Sequence, residues 1–163
     1  MVLCQSIITA FCTSLSQKSG YEGSTTPVRG VKMSYFDTLK DELNTNDTFC
    51  RLNDIRIIEI RDGYAEAEMI VNDDKLNANN VVQGGAIFTL ADLAFAGAAN
   101  SFEGLKASSM NSTINFLRPG SGSKLNAVAQ VVNRGKRSCL VETEVFNDSG
   151  KLVAKVTTTG FFI

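Results

Sequence analysis

Between Val81 and Phe102 the chain reads VVQGGAIFTLADLAFAGAANSF, and from Gly84 onward it carries a single charged residue, Asp92. Ala86, Ile87, Leu90, Leu93, Ala94 and Ala98 do not fall on one stripe of a helix but surround its axis. A helix that is apolar all round is buried all round, so the stretch predicts a helix enclosed by the rest of the fold. A lone carboxylate inside such a helix costs several kcal/mol, roughly, unless it is paired or neutralised. Asp92 therefore has either a fixed partner or a chemical task. The stretch is a poor membrane span: Gln83, Asp92 and three glycines interrupt it and no basic flanks bound it.

Several function classes drop out on composition. The net charge is −1 and no block of like charges occurs, so no nucleic-acid partner is implied. Arg134, Lys136 and Arg137 form the one tight basic cluster, enough for a phosphate or two. The chain has no histidine, which removes Ser-His and Cys-His nucleophile pairs, histidine bases and most zinc and haem sites. Cys4, Cys12, Cys50 and Cys139 lack C-x-x-C spacing, so neither a metal nor a cofactor is implied. Scattered thiols suit a cytoplasmic protein.

The length of 163 residues fits one domain with a tail. Residues 1–32 pass from a moderately apolar stretch to SQKSGYEGSTTPVRG, and no Lys or Arg precedes Lys18, so the basic start of a secretory signal is missing. The expectation is a disordered or loosely attached tail, or a start of translation at Met33, with one domain over 33–163. Ser34 caps a short helix, SYFDTLKDELN, in which Tyr35, Phe36, Leu39 and Leu43 recur at helical spacing. Strands over about Asp54–Arg61 and Tyr64–Val71 meet at the Asp62-Gly63 turn, and Ala65, Ala67, Met69 and Val71 alternate with polar neighbours. The polar loop NDDKLNANN leads into the buried helix. Four further strands follow, Lys106–Leu117, Lys124–Asn133, Arg137–Asn147 and Lys151–Ile163, separated by Gly-, Pro- and Asn-rich turns.

The order is β-β-α-β-β-β-β, and hairpin-length links make most of the sheet antiparallel. One face of a sheet cannot cover a helix that needs cover all round. An α+β arrangement can: an antiparallel sheet of about six strands wrapped around one long central helix, with a second copy of the chain closing the remaining side. This is the hotdog fold.

Gly84 and Gly85 stand where the helix begins, and a helix N-terminus presents unpaired N–H groups and partial positive charge, suited to an oxyanion. Glycine there lets a carbonyl approach the backbone closely; equally, two glycines permit tight helix–sheet packing. Asp92 lies eight residues beyond Gly84, about 12 Å along a helix axis. Two groups that far apart cannot act on one carbonyl. If both serve one substrate, they come from two antiparallel copies. Burial of Asp92 raises its pKa and suits it to accept a proton near neutrality; the alternative is a structural carboxylate satisfied by backbone N–H groups or a lysine.

The stretch from Asn80 to Ser101, NVVQGGAIFTLADLAFAGAANS, resembles the signature of PaaI-like hotdog thioesterases: H-G-G, then L-x-D about nine residues after the histidine, then small residues. INFLRP, Ile114 to Pro119, is similar to the family's third strand and its exit. The resemblance covers roughly Ser34 to Ile163 and is specific at the helix. It implies a hydrolase acting on acyl-CoA thioesters, with Asp92 as general base or nucleophile and Gly84 N–H as oxyanion donor. It further implies that Asn77 holds the thioester and that Ser109, with Ser108 close behind, positions the water. Asp and Ser would come from one subunit and Asn and Gly from the other, giving a homodimer with shared active sites, paired into a homotetramer. Gly85, Arg118, Lys136 and Arg137 are candidate substrate-binding residues, the basic three for CoA phosphates or simply as solvated hairpin charges. Phe88, Phe95, Phe102 and Met110 either line an acyl pocket or pack the core. The departure is Gln83, where the family has histidine. Glutamine donates and accepts hydrogen bonds but does not titrate near pH 7, so a non-catalytic acyl-CoA-binding hotdog protein is the competing expectation.

Overall fold

Ser34 opens the first helix, its hydroxyl accepting from the Asp37 N–H at 3.1 Å, and α1 then runs over Tyr35–Asn46. The computed structural model describes residues 33–163, so the expectation of a tail over 1–32 lies outside them. A second helix follows that the sequence did not announce: α2, Thr48–Leu52, capped by the Asp47 carboxylate on the Cys50 N–H at 2.9 Å. Then come β1 (Ile55–Arg61), β2 (Tyr64–Ile70), a 3₁₀ turn (Asp73–Lys75), α3 (Gly84–Ala99), β3 (Ala107–Phe116), β4 (Lys124–Arg134), β5 (Ser138–Asn147) and β6 (Leu152–Phe162).

The six strands form one antiparallel sheet in the order β1-β2-β4-β5-β6-β3. Gly63, at φ +66°, makes the tight turn between β1 and β2. This is the hotdog arrangement the element order requires: the strand before α3 and the strand after it lie on different sides of the sheet's centre, so the chain carries α3 across the concave face. At one end of the sheet, Asn44 of α1 covers β1 by donating to the Ile57 carbonyl at 3.0 Å and accepting from the Ile57 N–H at 2.7 Å. That is one way to satisfy an edge strand. At the other end β3 pairs with β6 on one side, and its outer edge has no neighbouring strand among the described residues.

Strand alternation is broken at the β1 bulge, where Ile58 and Glu59 are both exposed, at Val153 and Ala154 of β6, both buried, and in β2. Ala65, Ala67 and Met69 point inward as expected, but Glu68 is buried too. Arg56 and Lys124 on the flanking strands reach it at 2.6 and 3.3 Å, so the carboxylate is paired where it is covered.

The helix and sheet meet at glycine-sized separations. A Cβ on Gly97 would lie 2.7 Å from the Ala65 methyl and 3.1 Å from Ile57 Cδ1. From the sheet side, a Cβ on Gly160 would lie 2.8 Å from the Phe95 ring. Gly97→Val is therefore expected to lose about 1–3 kcal/mol through overpacking, measured by urea denaturation; unchanged stability would show that the contact is looser than this geometry.

Candidate active site

The loop between β2 and α3 closes on itself before the helix begins. Asn77 donates its N–H to the Val81 carbonyl at 2.9 Å, and Leu76 bridges Val82. Val82 in turn donates to Gly120 at 2.9 Å, tying the loop to the β3–β4 turn. The Asn77 Oδ1 accepts from the Asn79 N–H at 2.8 Å, which leaves the amide nitrogen of that side chain free to donate.

Gln83 is the N-cap of α3. Its Oε1 accepts from the Gly85 N–H and, at 3.2 Å, from the Ala86 N–H. A Cβ on Gly85 would lie 2.7 Å from that oxygen, so the second glycine makes room for the cap. The cap also takes the Gly85 N–H out of play as a substrate donor. The Gly84 N–H has no acceptor among the described residues. It opens, with Asn77, Val82, Phe116, Arg118 and Gly120, onto a cleft of about 370 Å³. Asn77 and Gly84 are thus brought together, as the sequence suggests. Gln83 and Gly85 line the neighbouring cleft of about 320 Å³ between α2 and α3.

Asp92 sits two turns further along α3. Nine residues of the helix are buried, but Gly85, Phe88, Thr89, Asp92 and Ala96 form a stripe that the chain's own sheet leaves half-open or exposed. Full enclosure, expected from the apolar sequence, is thus not reached within one chain. Burial pushes the Asp92 pKa up; the nearby Ser109 side chain pulls it back, and the Asp47 carboxylate at the start of α2 pushes it up again. Asp92 and Ser109 are therefore neighbours. The β3 ladder is irregular between Ser109 and Asn111, and such bulges re-aim side chains. Cys50 of α2 packs close by, its thiol pushed up to about 12 chiefly by burial and then by Asp47.

Within one chain the candidates form two groups, Asn77 with Gly84 and Asp92 with Ser109, at different levels of α3. Arg118 lines the Asn77–Gly84 cleft, with its Nη1 on the Leu152 carbonyl at 2.7 Å. Lys136 and Arg137 lie elsewhere, in the β4–β5 turn. The Arg134 guanidinium at the edge of that turn covers the Phe102 ring at 4.2 Å, just past the C-terminal end of α3. A larger cavity of about 610 Å³, lined by Tyr35, Leu39, Glu42, Asn100 and Lys106 among others, holds none of the candidate site residues.

The thioesterase superfamily profile matches residues 79–154, the segment from the α3 cap to β6. A putative esterase of Archaeoglobus fulgidus is 42% identical over 124 residues, covering 76% of this chain and 80% of that protein. The chain belongs to the thioesterase superfamily. Within it, the acyl-coenzyme A thioesterase PaaI of Escherichia coli is 42% identical over 110 residues, 67% of this chain and 78% of PaaI. The structure of that PaaI superposes with a TM-score of 0.74 at 36% identity, covering 77% of this chain and 91% of the other. A Streptococcus pneumoniae hypothetical thioesterase solved with coenzyme A superposes at 0.63 with 29% identity, over 67% of this chain and 85% of that one. The thioesterase match includes Asp92 and the helix cap but begins after Asn77.

The raised pKa of Asp92 carries a stability signature. The folded chain keeps the Asp92 proton over a pH range where the unfolded chain has released it. This contribution is complete below the unfolded pKa and is lost as pH rises through the folded one. Asp92→Asn is therefore expected to raise Tm at pH 7, with the gain shrinking on acidification. Calorimetry across pH checks it; a Tm lowered at pH 7 would mean the carboxylate is a structural ion.

Proposed function

We propose that the protein hydrolyses acyl-CoA thioesters at two equivalent sites, each assembled from two copies of the chain. The observation that carries this reading is the division of the site residues into two groups spaced about 12 Å apart along α3. Two features support a second copy as the missing cover. One is the open stripe that includes Asp92. The other is the free β3 edge, where Met110 and Phe116 on the strand and Leu117 just after it are 68, 52 and 49% exposed. A long edge strand left bare invites pairing with another chain. Antiparallel packing of two α3 helices brings Gly84 of the partner subunit toward Asp92.

In this reading the thioester carbonyl lies at the end of the partner's α3, where the Gly84 N–H and the helix dipole face its oxygen. The Asn77 amide nitrogen donates to the same group. Ser109 holds a water against Asp92, which takes its proton as the oxygen attacks the carbonyl carbon. The tetrahedral intermediate collapses by breaking the C–S bond. The CoA thiolate leaves, a good leaving group because thiols ionise near pH 8.5, roughly, and takes up a proton, while the acid is released. Arg118, beside the Gly84 cleft, is placed to meet a phosphate of the CoA portion.

Gln83 does not weaken this reading. Its oxygen serves the helix cap, a role an amide fills without titrating. Capping holds the helix N-terminus in order and leaves Gly84 as the open donor.

A panel of short, medium, long-chain and aromatic acyl-CoAs tests the assignment. Wild type should turn over at least one, and Asp92→Asn should lose at least about a hundredfold in kcat/KM, the range for removing a general base. Tight binding of acyl-CoA with no turnover on any of the panel would instead favour the non-catalytic binding protein.

A further inference from the structure

Lys75 is 3% exposed, yet it comes from the most polar loop of the chain. Its Nζ lies 3.1 Å from Asp54 Oδ2 and 3.2 Å from Asn72 Oδ1. Asp54 stands between α2 and β1 at φ +54°, a left-handed conformation uncommon outside glycine. The Asp54 carbonyl accepts from the Ile70 N–H at 3.1 Å, so this aspartate is fixed to the end of β2. The Lys75 backbone carbonyl accepts the Gln83 N–H at 2.8 Å. One residue thus grips the rigid start of the sheet with its side chain and the α3 cap with its backbone. The loop it closes holds Asn77 near one end and Gln83–Gly84 at the other.

We infer that Lys75 is a positioning residue: its ion pair with Asp54 fixes the loop stem that aims Asn77 and the Gly84 N–H at the substrate carbonyl. The inference rests on the thioesterase reading and names a further residue of the same site. A structural role alone accounts poorly for the choice of lysine. Lys75 is buried while its partner Asp54 is half-exposed, and such a pair commonly stabilises no better than well-packed apolar side chains of similar volume, so a methionine would serve burial as well. What methionine lacks is a directional bond to a fixed acceptor. A displacement of about 1 Å at a reacting centre costs on the order of a hundredfold in rate, so an aiming bond has value even where it adds no stability.

The test compares wild type, Lys75→Met and Asp54→Asn, full-length, for Tm, for kcat and KM on the best acyl-CoA of the panel, and for amide hydrogen exchange at Gln83. Asn at 54 keeps a side chain that tolerates the left-handed conformation, so it supplies a second variant if methionine disturbs folding. The expected result is Tm near wild type in Lys75→Met, kcat lowered about 10–100-fold, KM within about threefold, and faster exchange at Gln83. Asp54→Asn should move kcat and exchange in the same direction. Wild-type kcat and wild-type Gln83 exchange in both variants would overturn the inference, as would a lowered Tm with kcat unchanged. If wild type itself turns over no acyl-CoA, the thioesterase reading fails on its own, and the exchange measurement still decides whether Lys75 fixes the loop.

Discussion

Where α3 crosses β1 and β2, the backbone of Gly97 lies against the Ala65 methyl with no room for a Cβ between them. The same closeness recurs at Phe95 over Gly160. Small residues on both surfaces let the helix sink into the concave sheet, burying Leu90, Ala94 and Ala98 completely. Sinking the helix also takes Asp92 part-way out of water, which raises its pKa, and sets its carboxyl beside Ser109 of β3. The chemistry of the site therefore follows from the packing. A helix held further from the sheet would leave Asp92 an ordinary surface carboxylate.

Much of this was legible in the residues. The run of apolar and small residues from Gly84 specified one long helix, which the structure buries on most of its surface but leaves open along the Asp92 stripe. The alternation of Leu125, Ala127 and Ala129, and of Val141, Thr143 and Val145, specified inward faces that the structure buries. Strand ends shifted by at most one residue, within the usual uncertainty of such boundaries. α2 was missed because five residues cannot show helical periodicity; the available signal was Asp47 three residues before Cys50, the spacing of an N-cap. Lys75 was missed because a lysine among aspartates and asparagines reads as solvated, and buried lysines are rare. Its partner Asp54 lies on a different element, and local sequence does not encode that meeting.

The motif residues divide in the same way. The pairing of Asp92 with Ser109 spans an intervening loop and falls beside a ladder irregularity in β3, so it came from family resemblance rather than from spacing. The capping task of Gln83 is a local property, yet its motif position, where histidine is usual, drew attention to its hydrogen bonding in the site; the geometry shows the oxygen occupied by the helix cap. Lys136 and Arg137 looked like partners of Arg118 because all three follow strands. They lie in a turn beside the C-terminal end of α3, whereas Arg118 lies beside its start.

The central claim is that a working site needs residues from two chains. Mixing two inactive variants tests it most directly. Asp92→Asn removes the base from one half-site, and Gly84→Pro removes the N–H from the other. Position 84 is the first residue of α3, where proline is well tolerated, and Gln83 before it is already extended at φ −62°, ψ 134°. In a mixed dimer one of the two sites regains both intact groups, so an equal mixture after full subunit exchange should recover about a quarter of wild-type turnover. Folded parents that exchange subunits, as native mass spectrometry would show, yet recover nothing above their separate activities would contradict the shared site.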